Sequence, residues 1–253
     1  MKLLGSGAWI VLALMAPIAS AGVVYDAQND YMAGWTGGNN PNGAWKYGWS
    51  TSPGNNLTLY TVHDQISGLP SFDEWKDPSN NDLGTPIVYS NQSGSSFSGG
   101  GAANLDGVPA GALIIHGGGS AAFCGSDGAC FSEVIWTAPS TGNYDLATTF
   151  SGHQVGMTGL VEVLKLTGGT PSVLFSNSSL TDNTSQSFDQ TISVLSGDQI
   201  IFAARTANGT LNPDTTQLQA TLQVSTAAPE PSTLALFGTA MLSLAGLGRR
   251  RRR

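Results

Sequence analysis

The chain has 253 residues, with ten Lys and Arg against seventeen Asp and Glu and a formal net charge of −7. Lys2 and the five arginines from Arg249 to Arg253 lie at the two ends, so residues 22–228 keep only Lys46, Lys76, Lys165 and Arg205 against sixteen acids, a balance of −12. Such a body repels nucleic acid and anionic membrane surfaces, which excludes both as partners. It is about 207 residues long, rich in Gly, Ser, Thr and Asn, and has few helical stretches. That length suffices for one large β domain or two small ones.

The N-terminus opens with the basic Met1-Lys2, an apolar core from Ala8 to Ala16, and the small-x-small site Ala19-Ser20-Ala21. This pattern predicts a secretory signal peptide over residues 1–21, cut after Ala21. An uncleaved anchor is the alternative, set against the shortness of the run and its break at Pro17. The body then covers residues 22–226, with an irregular part at 22–109 rich in Asn, Gly and aromatics. Within it, Asn39-Asn-Pro41-Asn42-Gly43 is a turn, and the alternation that follows places Trp45, Tyr47 and Trp49 on one face of a strand. Three aromatics so placed would stack on sugar rings as glycan contacts, or fill one side of a sandwich core. Further on, Asp73, Glu74, Asp77 and Asp82, with Asn80 and Asn81, read as an acidic loop. Its hard oxygens would suit a structural Ca²⁺, but the Asp-x-Asp-x-Asp-Gly spacing is missing and a solvated loop explains it as well. No other cofactor is expected.

From about Ala110 to residue 226 the chain becomes strand after strand. Gln217, Gln219, Thr221 and Gln223 alternate with Leu218, Ala220, Leu222 and Val224; Tyr144, Leu146, Thr148 and Phe150 share one face, as do Phe188, Gln190, Ile192 and Val194. Turn clusters at Pro139 to Gly142, Gly168-Gly169 and Ser196 to Asp198 fall at sandwich spacing. Cys124 and Cys130, separated by a glycine-containing loop, predict a local disulfide rather than a metal or redox site. His63, His116 and His153 show no metal-ligand spacing. His116 stands before three glycines, superficially like an esterase oxyanion loop, but no Gly-x-Ser-x-Gly elbow accompanies it. A strand-ending histidine is the simpler reading. Carboxylate pairs for glycoside hydrolysis are chosen by their separation in space, not by sequence, so no catalytic residue and no metal ligand is assigned.

The C-terminal residues 227–253 have a different character. Pro229-Glu230-Pro231 holds the chain extended. Residues 232–248 form an apolar run of about 17 residues, roughly 25 Å as a helix and at the short end of a membrane span. Arg249, Arg250, Arg251, Arg252 and Arg253 would stay cytoplasmic, leaving the body on the far side of the membrane. A buried C-terminal helix is the alternative, and it gives no reason for five terminal arginines.

This order of features resembles the PEP-CTERM sorting signal of Gram-negative envelope proteins, a domain also labelled from the C-termini of some ice-binding proteins. The resemblance implies that an exosortase-like membrane protease recognises Pro229, Glu230 and Pro231, after export by the Sec machinery and cleavage by signal peptidase. The mature protein would then go to the cell surface or the extracellular matrix. The stretch Asn39 to Trp49 is similar to one near the mature start of exported PEP-CTERM proteins. Trp136-Thr-Ala-Pro139-Ser-Thr-Gly142-Asn-Tyr144 resembles a turn of exported jelly-roll modules, many of which bind carbohydrate. The expected fold is therefore an all-β, jelly-roll-like β-sandwich flanked by a signal peptide and a transmembrane helix. The expected function is that of an exported surface or matrix protein with exopolysaccharide as its partner. A secreted polysaccharide hydrolase and an ice-binding or adhesion protein are the alternatives.

Overall fold

A strand that is apolar on alternate residues hides only one face, so such strands are stable when two sheets close on each other. The computed structural model describes residues 22–33, 39–69, 71–79, 85–99, 104–118, 124, 130–207 and 214–225. In chain order these form β1 (Val24–Asp26), α1 (Ala27–Ala33), β2 (Trp45–Ser50), β3 (Thr58–Leu59), β4 (Val62–Gln65), β5 (Phe72–Lys76), β6 (Ile87–Asn91), β7 (Phe97–Gly99) and β8 (Leu105–Val108). They continue with β9 (Leu113–His116), β10 (Phe131–Thr137), β11 (Gly142–Gly152), β12 (Thr158–Thr167), β13 (Thr170–Thr181), β14 (Ser185–Val194), β15 (Gln199–Thr206) and β16 (Thr216–Val224).

The large sheet runs β14-β11-β16-β9-β6-β5-β4, with β1 also on β16, and the small sheet runs β13-β12-β15-β10-β2-β3. Both sheets mix strands from before and after residue 110, because β2 pairs with β10 and β6 with β9. The fold is an all-β sandwich of the jelly-roll-like kind. Its core forms where the two inner faces meet: Tyr144, Leu146, Phe150, Leu218 and Leu222 from the large sheet lie against Trp45, Val134, Trp136, Val163 and Phe202 from the small one. Trp136 closes β10 and meets Tyr144 of β11 edge-on, ring centroids 5.0 Å apart, while Tyr144 Oη and Ser140 Oγ lie 3.0 Å apart across the Pro139 turn.

Two outer faces are also apolar, and each is roofed. Ile87, Tyr89 and Ile114 lie on the outside of the large sheet beneath Leu105 and Val108 of β8, with Phe97 of β7 packed against them. Phe131, Ile135, Leu164 and Ile201 lie on the outside of the small sheet, with Leu57 packed over them.

The described residues of 22–109, a part read as irregular, supply eight strands and a helix. The strands are short, two to six residues, so no window carries a measurable period. The helix is seven residues long and capped by Asp26, whose Oδ1 accepts from the backbone N–H of Gln28 at 3.0 Å and of Asn29 at 2.9 Å. Asp73 and Glu74 are corrected most clearly. They stand inside β5, fully buried, not in a loop. Partners meet their charge: from the neighbouring strands Asp73 accepts from Ser90 Oγ at 2.5 Å and faces His63 Nε2 at 3.0 Å, and within β5 itself Glu74 takes Lys76 Nζ at 2.5 Å. Burial of carboxylates is tolerable on those terms.

Candidate functional site

On β11 the buried Tyr144, Leu146, Thr148 and Phe150 alternate with the outward Asn143, Asp145, Ala147, Thr149 and Ser151. The antiparallel registers carry that outward set sideways into rows. Thr191 of β14, Asp145, Gln223 of β16 and Val24 of β1 form one row; Asp189, Ala147, Thr221 and Asp26 form the next; Ser187, Thr149 and Gln219 form the third. Ala147 is the short side chain among long polar ones, so it becomes the floor of a groove of about 290 Å³ walled by Asp26, Gln28, Asp189, Gln219 and Thr221. A second hollow of about 440 Å³ continues it along Asp145, Thr191 and Gln223.

Hydrogen bonds along the rows hold the walls. Thr191 Oγ1 donates to Asp145 Oδ1 at 2.6 Å, Thr149 Oγ1 and Ser187 Oγ lie 3.0 Å apart, and Ser151 Oγ and Ser185 Oγ lie 2.8 Å apart. Each such hydroxyl, amide or carboxylate retains capacity for a further bond. A face of this make-up suits a ligand that presents many hydroxyls and a little C–H surface.

The aromatics Trp45, Tyr47 and Trp49 do share one face, and it is the inner one. Trp45 and Tyr47 are each 1% exposed and belong to the central core, with Trp49 partly buried against it. The Trp45 indole Nε1 donates to Asp30 Oδ2 at 2.7 Å. A sugar ring has no access to the faces of Trp45 and Tyr47, so they fill the core as the second reading of that strand requires. Cys124 and Cys130 form the disulfide, Cα atoms 5.1 Å apart, both buried.

His116 ends β9 as a buried residue whose Nδ1 lies 2.8 Å from Asp214 Oδ1. Close packing explains the two glycines after it: a Cβ at Gly117 would stand 2.5 Å from Arg205 Cα, and one at Gly118 2.1 Å from Pro86 Cδ. His63 stacks on Trp75 with centroids 4.5 Å apart, and His153 lies 3.0 Å from both Asp106 O and Gln217 Oε1. Asp77 receives Ser79 N–H at 3.0 Å; burial pushes its carboxyl up, but hydrogen bonds from Ser79 and Trp49 outweigh that and leave it below the ordinary range. Among the described residues no group of three or more His, Cys, Asp or Glu is placed to hold a metal ion, and no helix is long and apolar enough to cross a membrane. Ala19, Ala21, Asn80, Asn81, Asp82, Pro229, Glu230, Pro231, the apolar run 232–248 and Arg249 to Arg253 lie outside the described residues.

Asp26, Ala147 and Asp189 were not singled out in the sequence, and Thr221 only as one of an alternating polar set. The alternation in β11 and β16 marks each polar side, but only the register brings those sides into one field.

Fold and face together define a two-sheet β-sandwich with an open polar surface on its large sheet. Residues 227–253 match the PEP-CTERM protein-sorting motif. The motif implies an exported protein that is transiently membrane-anchored and processed by an exosortase. No curated protein sequence matches the chain. Similar solved structures include a point mutant of the family 29 carbohydrate-binding module CBM29-2, at 17% identity and TM-score 0.29, covering 68% of this chain and 99% of that one. Another is the C-terminal CBM6 of LamC from the marine Zobellia galactanivorans, at 12% identity and TM-score 0.25, covering 64% and 98%. Murine APRIL is similar at 21% identity and TM-score 0.29, covering 37% and 85%.

Proposed function

We propose that the protein is a polysaccharide-binding component of the cell surface or extracellular matrix, and that it binds through the groove floored by Ala147. Sec export, signal-peptidase cleavage after Ala21 and exosortase action at Pro229, Glu230 and Pro231 would deliver the body, residues 22–226, to that place. One observation carries the reading: hydroxyls, amides and carboxylates from β1, β11, β14 and β16 line a continuous open trench with a methyl group at its bottom. A carboxylate accepts two hydrogen bonds side by side and an amide accepts one while donating another, as neighbouring sugar hydroxyls require, and the Ala147 methyl supports the apolar side of a ring. Asp26, Asp145 and Asp189 stand in or beside the trench with no Lys or Arg among its lining residues, so the charge favours neutral or amine-bearing chains over uronates.

Titration calorimetry of the purified protein against dextran, xylan, chitosan and alginate tests this. Binding to at least one of the first three, none to alginate, and loss of binding in Ala147→Phe at unchanged melting temperature are expected. Binding that survives Ala147→Phe would remove the groove from the reading, and no binding to any of the four would remove the reading itself.

A further inference from the structure

Glu133 lies on the outer side of the small sheet with no exposure, between Gly48 of β2 and Ala203 of β15. Those small neighbours leave a slot, and the segment from Thr51 to Leu57 closes it from above. The backbone N–H of Gly54 donates to the Glu133 carboxyl, and the Ser50 hydroxyl donates to Oε1. Oε2 is buried with no hydrogen-bond partner. The fit is close: Gly54 has φ +77°, and a Cβ there would stand 3.0 Å from Pro171 and 3.3 Å from Ile201. The segment's own bonds, such as Asn55 N–H to Ser52 O at 3.0 Å, fold it upon itself rather than onto the sheet.

Three charged groups share this outer side. Lys46 of β2 is half-buried and attracts a Glu133 anion; burial lowers its own ammonium. Glu162 of β12 lies beyond Ala203 in the same row. Arg205 of β15 is turned over the Phe131 ring at 4.7 Å. The segment 51–57, β3 and β13 contribute no charge.

We propose that the segment 51–57 is a pH-operated latch: with Glu133 neutral it lies closed on the small sheet, and ionisation of Glu133 drives it open, admitting water to the carboxylate and uncovering Ile201 and Leu166. An anion in the slot would keep the Ser50 and Gly54 donors but lose its hydration, and lifting the segment is the short way to restore it. Burial is indeed the largest influence on this carboxyl and pushes it up to about 7 from 4.5, against the opposing hydrogen bonds and Lys46. By linkage, a group that ionises at 4.5 when wet and at about 7 when covered makes opening roughly 30-fold easier at pH 8.5 than at pH 5.5. The latch is independent of what the opposite sheet binds.

Hydrogen exchange of the purified protein at pH 5.5 and pH 8.5, corrected for the intrinsic rate, reads the opening directly. The expected result is a roughly 30-fold loss of protection at residues 51–57 with β11 unchanged, and no loss in Glu133→Gln. Equal protection at both pH values, or a loss that persists in Glu133→Gln, overturns the proposal. Should that variant fail to fold, carboxyl ¹³C NMR of the wild-type chain, which has only four glutamates, decides it. One glutamate titrating near 7 is required, and all four titrating below about 5 refutes the latch.

Discussion

The outer side of the large sheet is built in two ways. Toward β9 and β6 the outward side chains are Ile87, Tyr89 and Ile114, and β7, β8 and the loop carrying Ile66 and Leu69 cover them. Toward β16, β11 and β14 they are Gln219, Thr221, Asp145, Thr149 and Asp189, and the surface is an open groove. The inner faces of both ends belong to the same core. The outward residues alone therefore decide whether a stretch of sheet acquires a roof. An apolar row makes its own covering favourable by about 25 cal/mol per Å² hidden, whereas a row of Thr, Gln and Asp gains nothing from being covered. What stays open is what a ligand can reach.

The strongest way to break this comparison is to take a methyl-rich side chain from the covered end. Ile114→Ala leaves a cavity between β9 and the β7–β8 layer and is expected to cost about 2–5 kcal/mol in chemical denaturation. Phe97, partly buried over that cluster, should become more exposed. A cost below about 1 kcal/mol would mean that the roof does not depend on the row beneath it.

The small sheet extends the comparison, because its roof covers a charge. Glu133 keeps its proton to about pH 7 in the fold, whereas the ordinary value is 4.5. Between those values the folded chain binds more protons than the unfolded one, so stability falls as pH rises from about 4.5 to 7 and is flat with respect to this group beyond. The loss amounts to about 3 kcal/mol. Denaturation midpoints measured from pH 4.5 to 8.5 should show wild type weakening relative to Glu133→Gln across that window. Parallel curves would show that the carboxyl is solvated in the fold.

How much of this was legible beforehand differs along the chain. In β11, β14 and β16 the alternation was plain, because each spans nine to eleven residues and has one wet face. The same period placed Trp45, Tyr47 and Trp49 on one side of β2, yet it could not say which side faced inward; that follows from pairing with β10, 83 residues away in the Ser50 to Glu133 contact. Phe72-Asp-Glu-Trp-Lys76 failed as a strand signal because both its faces are buried, and its charges are met by His63, Ser90 and Lys76. Charge read alone suggests solvent; charge with partners, from other strands for Asp73 and from Lys76 of the same strand for Glu74, permits burial. The groove was invisible for a related reason. Asp26 and Asp189 are 163 positions apart in the chain, and only the registers of β1, β16, β11 and β14 make them facing walls.

The smallest effect on stability is expected at the open end. Thr221→Ala removes one hydroxyl from a half-buried position beside Ala147, with no cavity beneath it and no partner left stranded in a core. Its unfolding free energy should match wild type to within about 0.5 kcal/mol, against a loss of several for Ile114→Ala in the same sheet. Binding and stability should then separate. If Thr221 is part of a ligand face, the variant loses polysaccharide affinity while remaining as stable as before, a combination that a merely structural residue does not produce. Unchanged affinity would place the contact rows elsewhere on the face. A drop in stability comparable with Ile114→Ala would show that the open end is as load-dependent as the roofed one, and the contrast between the two would fail.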